Sequence, residues 1–236
     1  MKHSIFILII TFIVLIASGP TRAQGQRGSM EDFIRHYRIK LIPENMNPRL
    51  VMEFSRHLEL FPRSLMDEML QKGAKITLID GYGVTEDPSF RGSHTHDGRS
   101  WSTVPGSGGN PAHGVPTRIV VNRLDYNGSS NLFLHEHGHA LNSLYSTKGI
   151  TNSRAWKDLL ARNPGAMEVL DRTCGPYCTT NDDEAFAELF ALYYGGQRRM
   201  IENYAPGMAD FFRNFHSVRE FTNGRKEVCL FGKLCF

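Results

Sequence analysis

The chain has 236 residues, which suits one folded domain, or one domain with appendages. Its composition, 41% hydrophobic and 22% charged, is that of a folded soluble protein and argues against a long disordered tail or a fibre. The formal charge of +3 carries no basic stripe of the kind that binds nucleic acid, so neither nucleic acid nor another bulk electrostatic partner is expected.

Lys2 and His3 precede an apolar run over residues 5–17, and small residues follow up to Thr21-Arg22-Ala23. A basic start, a short apolar core and a small residue at the boundary predict a secretory signal peptide over residues 1–23. The run is too short to span a bilayer comfortably, so a secreted chain without stable membrane insertion is expected, with an uncleaved anchor as the alternative. The chain has four cysteines: Cys174, Cys178, Cys229 and Cys235. In an exported chain an even count reads as two disulfides, and three pairings are open. A four-cysteine zinc site is the rival, but the spacings fit a zinc knuckle poorly.

Residues 24–30 read as a loose leader. Over residues 30–72 apolar positions recur at helical spacing, and Pro43, Pro48 and Pro62 cut the region into short helices that end at Gly73. Residues 24–73 are therefore expected to be an N-terminal helical segment. Residues 75–80 (KITLID) alternate and are β-branched, which predicts a strand. Residues 81–116 are rich in Gly, Pro, Ser and His and read as a long loop, a feature that is usually functional in a compact domain. Its His94 and His96 are read as solvated loop residues in preference to metal ligands. Residues 118–122 (RIVVN) read as a second strand, residues 131–145 as a helix, and a further helix covers about 153–160. Residues 182–194 form a strong helix, with Phe186, Leu189, Phe190 and Tyr193 in an i, i+3, i+4, i+7 stripe and Gly195-Gly196 as its stop. A last helix is expected over 209–215, closing a unit at 74–216, and a cysteine-containing tail over 217–236 follows.

The helix over 131–145 contains His135-Glu136-His137-Gly138-His139. Residues four apart share a helix face, so His135 and His139 can converge on one zinc ion through neutral imidazole nitrogens. Glu136, offset by one residue, stands beside the metal and can take a proton from bound water, which is the physical content of H-E-x-x-H. Leu132, Phe133, Leu134, Ala140 and Leu141 flank the segment and make the helix a buried one. Clustered histidines there need a reason, because unpaired polar groups cost free energy when buried. His137 projects off the ligand face and is read as a non-ligand.

A catalytic zinc site needs a third protein ligand and an open position. A third histidine six residues after the second, with a glycine between, is ruled out by Tyr145 and Asn142 at those positions. Glu184 and Glu188 remain, four apart on one face of the 182–194 helix. One of them can bind zinc while the other holds a ligand histidine by its second ring nitrogen. Spacing alone leaves open which does which.

These residues resemble the peptidase domain of anthrax lethal factor and the secreted Pro-Pro endopeptidases. In that family an HExxH helix is followed by an E-x-F-A-E helix, here Glu184-Ala185-Phe186-Ala187-Glu188. The resemblance implies Glu184 as zinc ligand, Glu188 as its supporting residue, and Tyr177, seven residues before Glu184, as donor to the developing oxyanion. The stretch from Arg99 through Trp101 to Pro105 and Gly109 is similar to the family's K-x-W-x-x-V-P-G-x-G-G loop. That similarity implies that Trp101 and Pro105 border the substrate cleft and that Arg99 pairs with Asp183. The strand that begins at Arg118 is expected to be the sheet edge on which an extended peptide adds.

The resemblance covers about residues 75–215, with the N-terminal helices weakly similar. The family members compared lack the cysteines flanking Tyr177 and the Cys229–Cys235 tail, and a disulfide beside Tyr177 would stiffen its loop. The implied protein is an α+β, zincin-like metallopeptidase with a small twisted sheet, an HExxH helix and a mainly helical C-terminal part. It is expected to be a monomer that holds one zinc and hydrolyses peptide bonds of a peptide or protein substrate, with cleavage next to proline as the finer expectation. The rivals are a host-directed toxin peptidase and a non-catalytic secreted zinc-binding protein that keeps a peptidase fold.

Overall fold

The computed structural model describes residues 30–90, 94, 98, 100–124, 129–144 and 149–215, with the backbone of two short strands at 229–230 and 234–235. The proposed signal peptide lies outside the described residues. The fold is mixed α+β, with a four-stranded sheet, a separate two-stranded ladder and a mostly helical remainder.

Helix α1 (Met30–His36) leads into strand β1 (Ile39–Ile42). Helices α2 (Pro48–Leu58) and α3 (Arg63–Gln71) then carry the chain back to β2 (Ile76–Ile79). Asn47 starts α2 by accepting the Arg49 amide at 3.0 Å, and Pro48 suits the first turn, where its missing N–H costs nothing. Strand β3 (Gly106–Ser107) and β4 (Thr117–Val120) complete the sheet in the order β1-β2-β4-β3. The first three strands are parallel, in the register Ile39↔Ile76 and Ile76↔Thr117, and β3 runs antiparallel to β4. All four residues of β2 and of β4 are buried, as expected for parallel strands covered on both faces.

Helix α4 (Leu132–Leu144) follows, then α5 (Arg154–Ala161), α6 (Gly165–Cys174), α7 (Asp182–Tyr194), α8 (Arg198–Tyr204) and α9 (Pro206–Asn214). Asn181 caps α7 by accepting the Glu184 amide at 2.9 Å, and Asp182, Asp183 and Glu184 place negative charge at the positive end of its dipole. An unbroken run from Ala185 to Tyr193 is buried, so α7 is apolar nearly all round and runs through the core. Phe186 packs there against Trp156, Phe211, Phe212 and Phe215. Phe54 and Phe61 meet the Phe133 ring edge-on at 5.0 and 6.1 Å, which ties the N-terminal region to α4. No helix among the described residues is long and apolar enough to cross a membrane.

Four expectations change. The 30–72 region is not helical throughout, because β1 adds to β2 inside it. The 81–116 stretch contains β3 as well as loops and 3-10 turns. Helices α6 and α8 were not foreseen from periodicity. Strand β4 is not a sheet edge, since β2 and β3 pair with it on either side, so the outer strand on that flank is β3.

Candidate active site

Helices α4 and α7 cross at Gly138. A Cβ placed there would stand 2.8 Å from Ala187 Cα, closer than side chains tolerate, so the two backbones touch because both positions are small. This contact sets the HEHGH face of α4 against the EAFAE face of α7.

Three donor atoms meet at the crossing. His135 Nε2 and His139 Nε2 lie 3.1 Å apart, and Glu184 Oε2 lies 3.2 and 3.5 Å from them. Zinc takes such ligands at about 2.0–2.2 Å, so tetrahedral donors stand about 3.3–3.5 Å apart, and the observed triangle fits one small cation with a fourth position open. Glu184 Oε2 is buried and has no hydrogen-bond partner. A buried oxygen without a hydrogen-bond partner, facing two imidazole nitrogens, completes a donor set that a small cation would satisfy. Burial works against ionisation of Glu184, but the facing imidazoles outweigh it and hold its carboxyl well below the usual range.

Behind the triangle, Glu188 is wholly buried. It accepts from His135 Nδ1 at 3.0 Å, Ser129 Oγ at 2.6 Å and the Ser130 amide at 2.8 Å. This arrangement assigns the His135 proton to Nδ1 and leaves Nε2 to face the triangle. Burial alone would depress the His135 pKa, but the carboxylates of Glu184 and Glu188 outweigh it and raise it. His137 turns away, with Nδ1 donating to Phe133 O at 2.8 Å and its ring set among Phe61 and Phe133. Desolvation pushes its pKa down to about 4, so it is a neutral packing residue.

Glu136 stands beside the triangle, buried, and desolvation raises its carboxyl pKa above the ordinary value despite the nearby imidazoles. Strand β3 presses on it, since a Cβ on Gly106 would fall 2.3 Å from Glu136 Oε1. A Cβ on Gly108 would fall 2.3 Å from that of His139. The glycines of the VPGSGG stretch therefore let the sheet edge lie directly on the helix that carries the chemistry.

Tyr177 sits on a 3-10 turn over Gly175–Thr179, and its hydroxyl donates to Glu184 Oε1 at 3.1 Å. Cys174 and Cys178 are joined in a disulfide around it, one half of the pairing that the cysteine count left open. The backbones of Cys229 and Cys235 stand opposite each other in the ladder of β5 (Cys229–Leu230) and β6 (Leu234–Cys235). Their side chains lie outside the described residues.

The substrate-side residues are dispersed. Trp101 packs edge-on against Phe90 at 4.8 Å, and Pro105 is buried with its carbonyl accepting the Val120 amide. Arg123 donates to Tyr82 O and Thr103 O, clamping the turn after β2 to the Trp101 turn. Arg118 is not brought to the site. Its side chain is only 4% exposed and donates to Asp87 at 2.8 Å and Ser89 at 3.0 Å, with Phe90 under its guanidinium at 4.3 Å. Arg99 and His96 lie outside the described residues, and His94 is exposed. Asp183 accepts from Asn142 Nδ2 at 2.9 Å and from the Thr151 hydroxyl, which anchors the start of α7 to the end of α4.

Gly138, Ser129, Ser130 and Thr151 were missed as site-building residues. The glycine inside an otherwise buried helix was the one signal available, since such a glycine usually marks close packing. Nothing local points to the two serines.

The family model described as "Anthrax toxin lethal factor, N- and C-terminal domain" matches residues 30–215. A Pro-Pro endopeptidase of Paenibacillus alvei is 26% identical over 202 residues, covering 79% of this chain and 83% of that protein. The solved structure of the Pro-Pro endopeptidase PPEP-2 from Paenibacillus alvei has a TM-score of 0.62 at 22% identity, over 79% of this chain and 100% of that one, which establishes a shared fold. By its match over residues 30–215, the chain belongs to the family of the anthrax toxin lethal factor, N- and C-terminal domain.

Proposed function

We propose that this protein is a secreted, zinc-dependent metalloendopeptidase of zincin-like architecture. The observation that carries the reading is the triangle of His135 Nε2, His139 Nε2 and Glu184 Oε2, with edges of 3.1, 3.2 and 3.5 Å. Family membership and the likeness to an endopeptidase support it. Zinc held by these three residues supplies a Lewis acid for the scissile carbonyl and lowers the pKa of bound water.

The chain's own residues do the rest. Glu136 removes the proton of the attacking water on a carboxylate oxygen and delivers it to the leaving amine nitrogen. Its burial suits it to hold that proton between the two steps. Glu188 keeps His135 in the tautomer that leaves Nε2 free. The Tyr177 hydroxyl turns from Glu184 to donate to the oxygen that gains charge. An extended substrate adds to the outer side of β3, where the Gly106 backbone lies against Glu136, with Trp101 bordering the cleft. The likeness to a Pro-Pro endopeptidase makes proline beside the scissile bond the first specificity to test.

Metal analysis of the purified protein should give about one zinc per chain. Glu136→Ala should keep that zinc and lose cleavage of a peptide library. A folded, zinc-grown sample without bound zinc would overturn the reading, and so would a Glu136→Ala variant that still cleaves.

A further inference from the structure

We propose that the Cys174–Cys178 disulfide is a redox-sensitive positioning element for Tyr177, so that its reduction slows turnover while the cation stays bound. The inference rests on the reading of Tyr177 as the oxyanion donor. The disulfide closes a ring over a sequence separation of four, and Tyr177 is the last residue enclosed, directly before Cys178. Both ends of the ring are anchored. Cys174 is the last residue of α6, and Cys178 is fully buried in the core. The two sulfurs also lie within 4.8 Å of a Glu188 carboxylate oxygen, so the ring is seated beside the group that holds His135.

The tyrosine is 40% exposed. Its backbone carbonyl accepts from the Thr180 amide at 3.2 Å and the Thr180 hydroxyl at 2.7 Å, which fixes the following side of the turn. The preceding side runs through Pro176 and Gly175, and Gly175 has φ +67°, a conformation that glycine adopts at no steric cost. The Gly175 amide donates to Asp171 O, and the ring adds a covalent restraint to this side. Opening it restores torsional freedom to the turn, and the hydroxyl then spends less time within reach of the reacting oxygen.

A small thiol attacks the sulfur of Cys174, the less buried member of the pair, and forms a mixed disulfide there. Cys178 leaves as thiolate and takes a proton. A second thiol resolves the mixed disulfide, releasing Cys174 as a thiol and the reductant as its own disulfide. Two electrons and two hydrogens have moved from the reductant to the protein.

The test uses the full chain carrying Cys229→Ser and Cys235→Ser, so that one cysteine pair remains. A water-soluble phosphine serves as reductant because it brings no thiolate to the zinc. It is oxidised to the phosphine oxide with the oxygen of water, whose hydrogens end on the two sulfurs. Reduction should lower kcat by about 10- to 100-fold, within the cost of losing one oxyanion donor, with KM and zinc content unchanged. In a Tyr177→Phe background reduction should cost no further activity, because the ring acts through that hydroxyl.

A readout independent of turnover is the ring signal of Tyr177 in carbon-13 tyrosine-labelled protein, identified by its loss in Tyr177→Phe. It should shift toward an exposed tyrosine on reduction, with zinc or without it. C174S/C178S should behave as the reduced protein, and in-place reduction of the folded chain makes the same comparison if that variant does not fold. A Tyr177 signal and a kcat that both ignore reduction would overturn the proposal, as would an equal loss of activity in the Tyr177→Phe background. If the oxidised chain cleaves no peptide while the Tyr177 signal still responds, the peptidase reading fails and the positioning stands.

Discussion

The two walls of the candidate site are built by opposite means. On one side, α4 and α7 cross at Gly138 and Ala187 and offer side chains whose directions are set by helix geometry and burial. On the other, β3 and the Trp101 turn approach through backbone, made possible by Gly106, Gly108 and Gly83. A Cβ on Gly83 would fall 2.2 Å from Ser102 O, so even the outer turns are packed backbone on backbone. The difference separates two tasks. Fixed donors need rigid elements, while a surface that takes an extended chain needs exposed backbone on which a strand can add.

This contrast can be broken from either side. The largest effect is expected at the crossing, where Gly138→Val forces a branched side chain into Ala187. It should cost about 3 kcal/mol of stability in urea unfolding and weaken zinc binding with it. A variant as stable as the parent would mean that this contact does not set the helix spacing. Glu188→Ala keeps the crossing but removes the acceptor behind His135. Zinc affinity, measured against a competing chelator, should fall about 10- to 100-fold. Unchanged affinity would reduce Glu188 to a packing role.

On the opposite wall the effects should be smaller and should leave metal and stability alone. Gly106→Ala displaces the Glu136 carboxylate, and kcat should drop about tenfold at constant zinc content. Equal loss of zinc would show that the two walls are not separable. Trp101→Ala should raise KM about threefold with little change in kcat, as read from initial rates on a peptide substrate.

The crossing side was far more legible in the sequence than the strand side. His135, Glu136, His139, Glu184 and Glu188 could be read because helix periodicity turns spacing into direction, and the apolar residues around them mark burial. The strands β2 and β4 were legible from their β-branched runs. Strand β1 was not, since its apolar residues also fit a helical period and its partner lies far along the chain. Strand β3 is two residues long and includes a glycine, so it carries almost no propensity signal. The role of Arg118 depended on Asp87, 31 residues earlier, and no local pattern announces such a pair. The same holds for Ser129 and Ser130, whose partner Glu188 is 58 or 59 residues away.

Glu136, Glu184 and Glu188 crowd three carboxylates around two imidazoles where little water reaches. A divalent cation offsets these carboxylates while the imidazoles stay neutral; without it, the raised pKa values of His135 and Glu136 draw protons into the cluster instead. Like charges repel strongly in such surroundings, so the ion is a counter-charge for the fold as well as a reagent. When it is stripped by a chelator, the backbone amides of α4 around His135 should exchange with solvent sooner than those of α7 beside the Phe186 aromatic cluster, and the protein should begin to come apart at its chemistry before it loosens at its core.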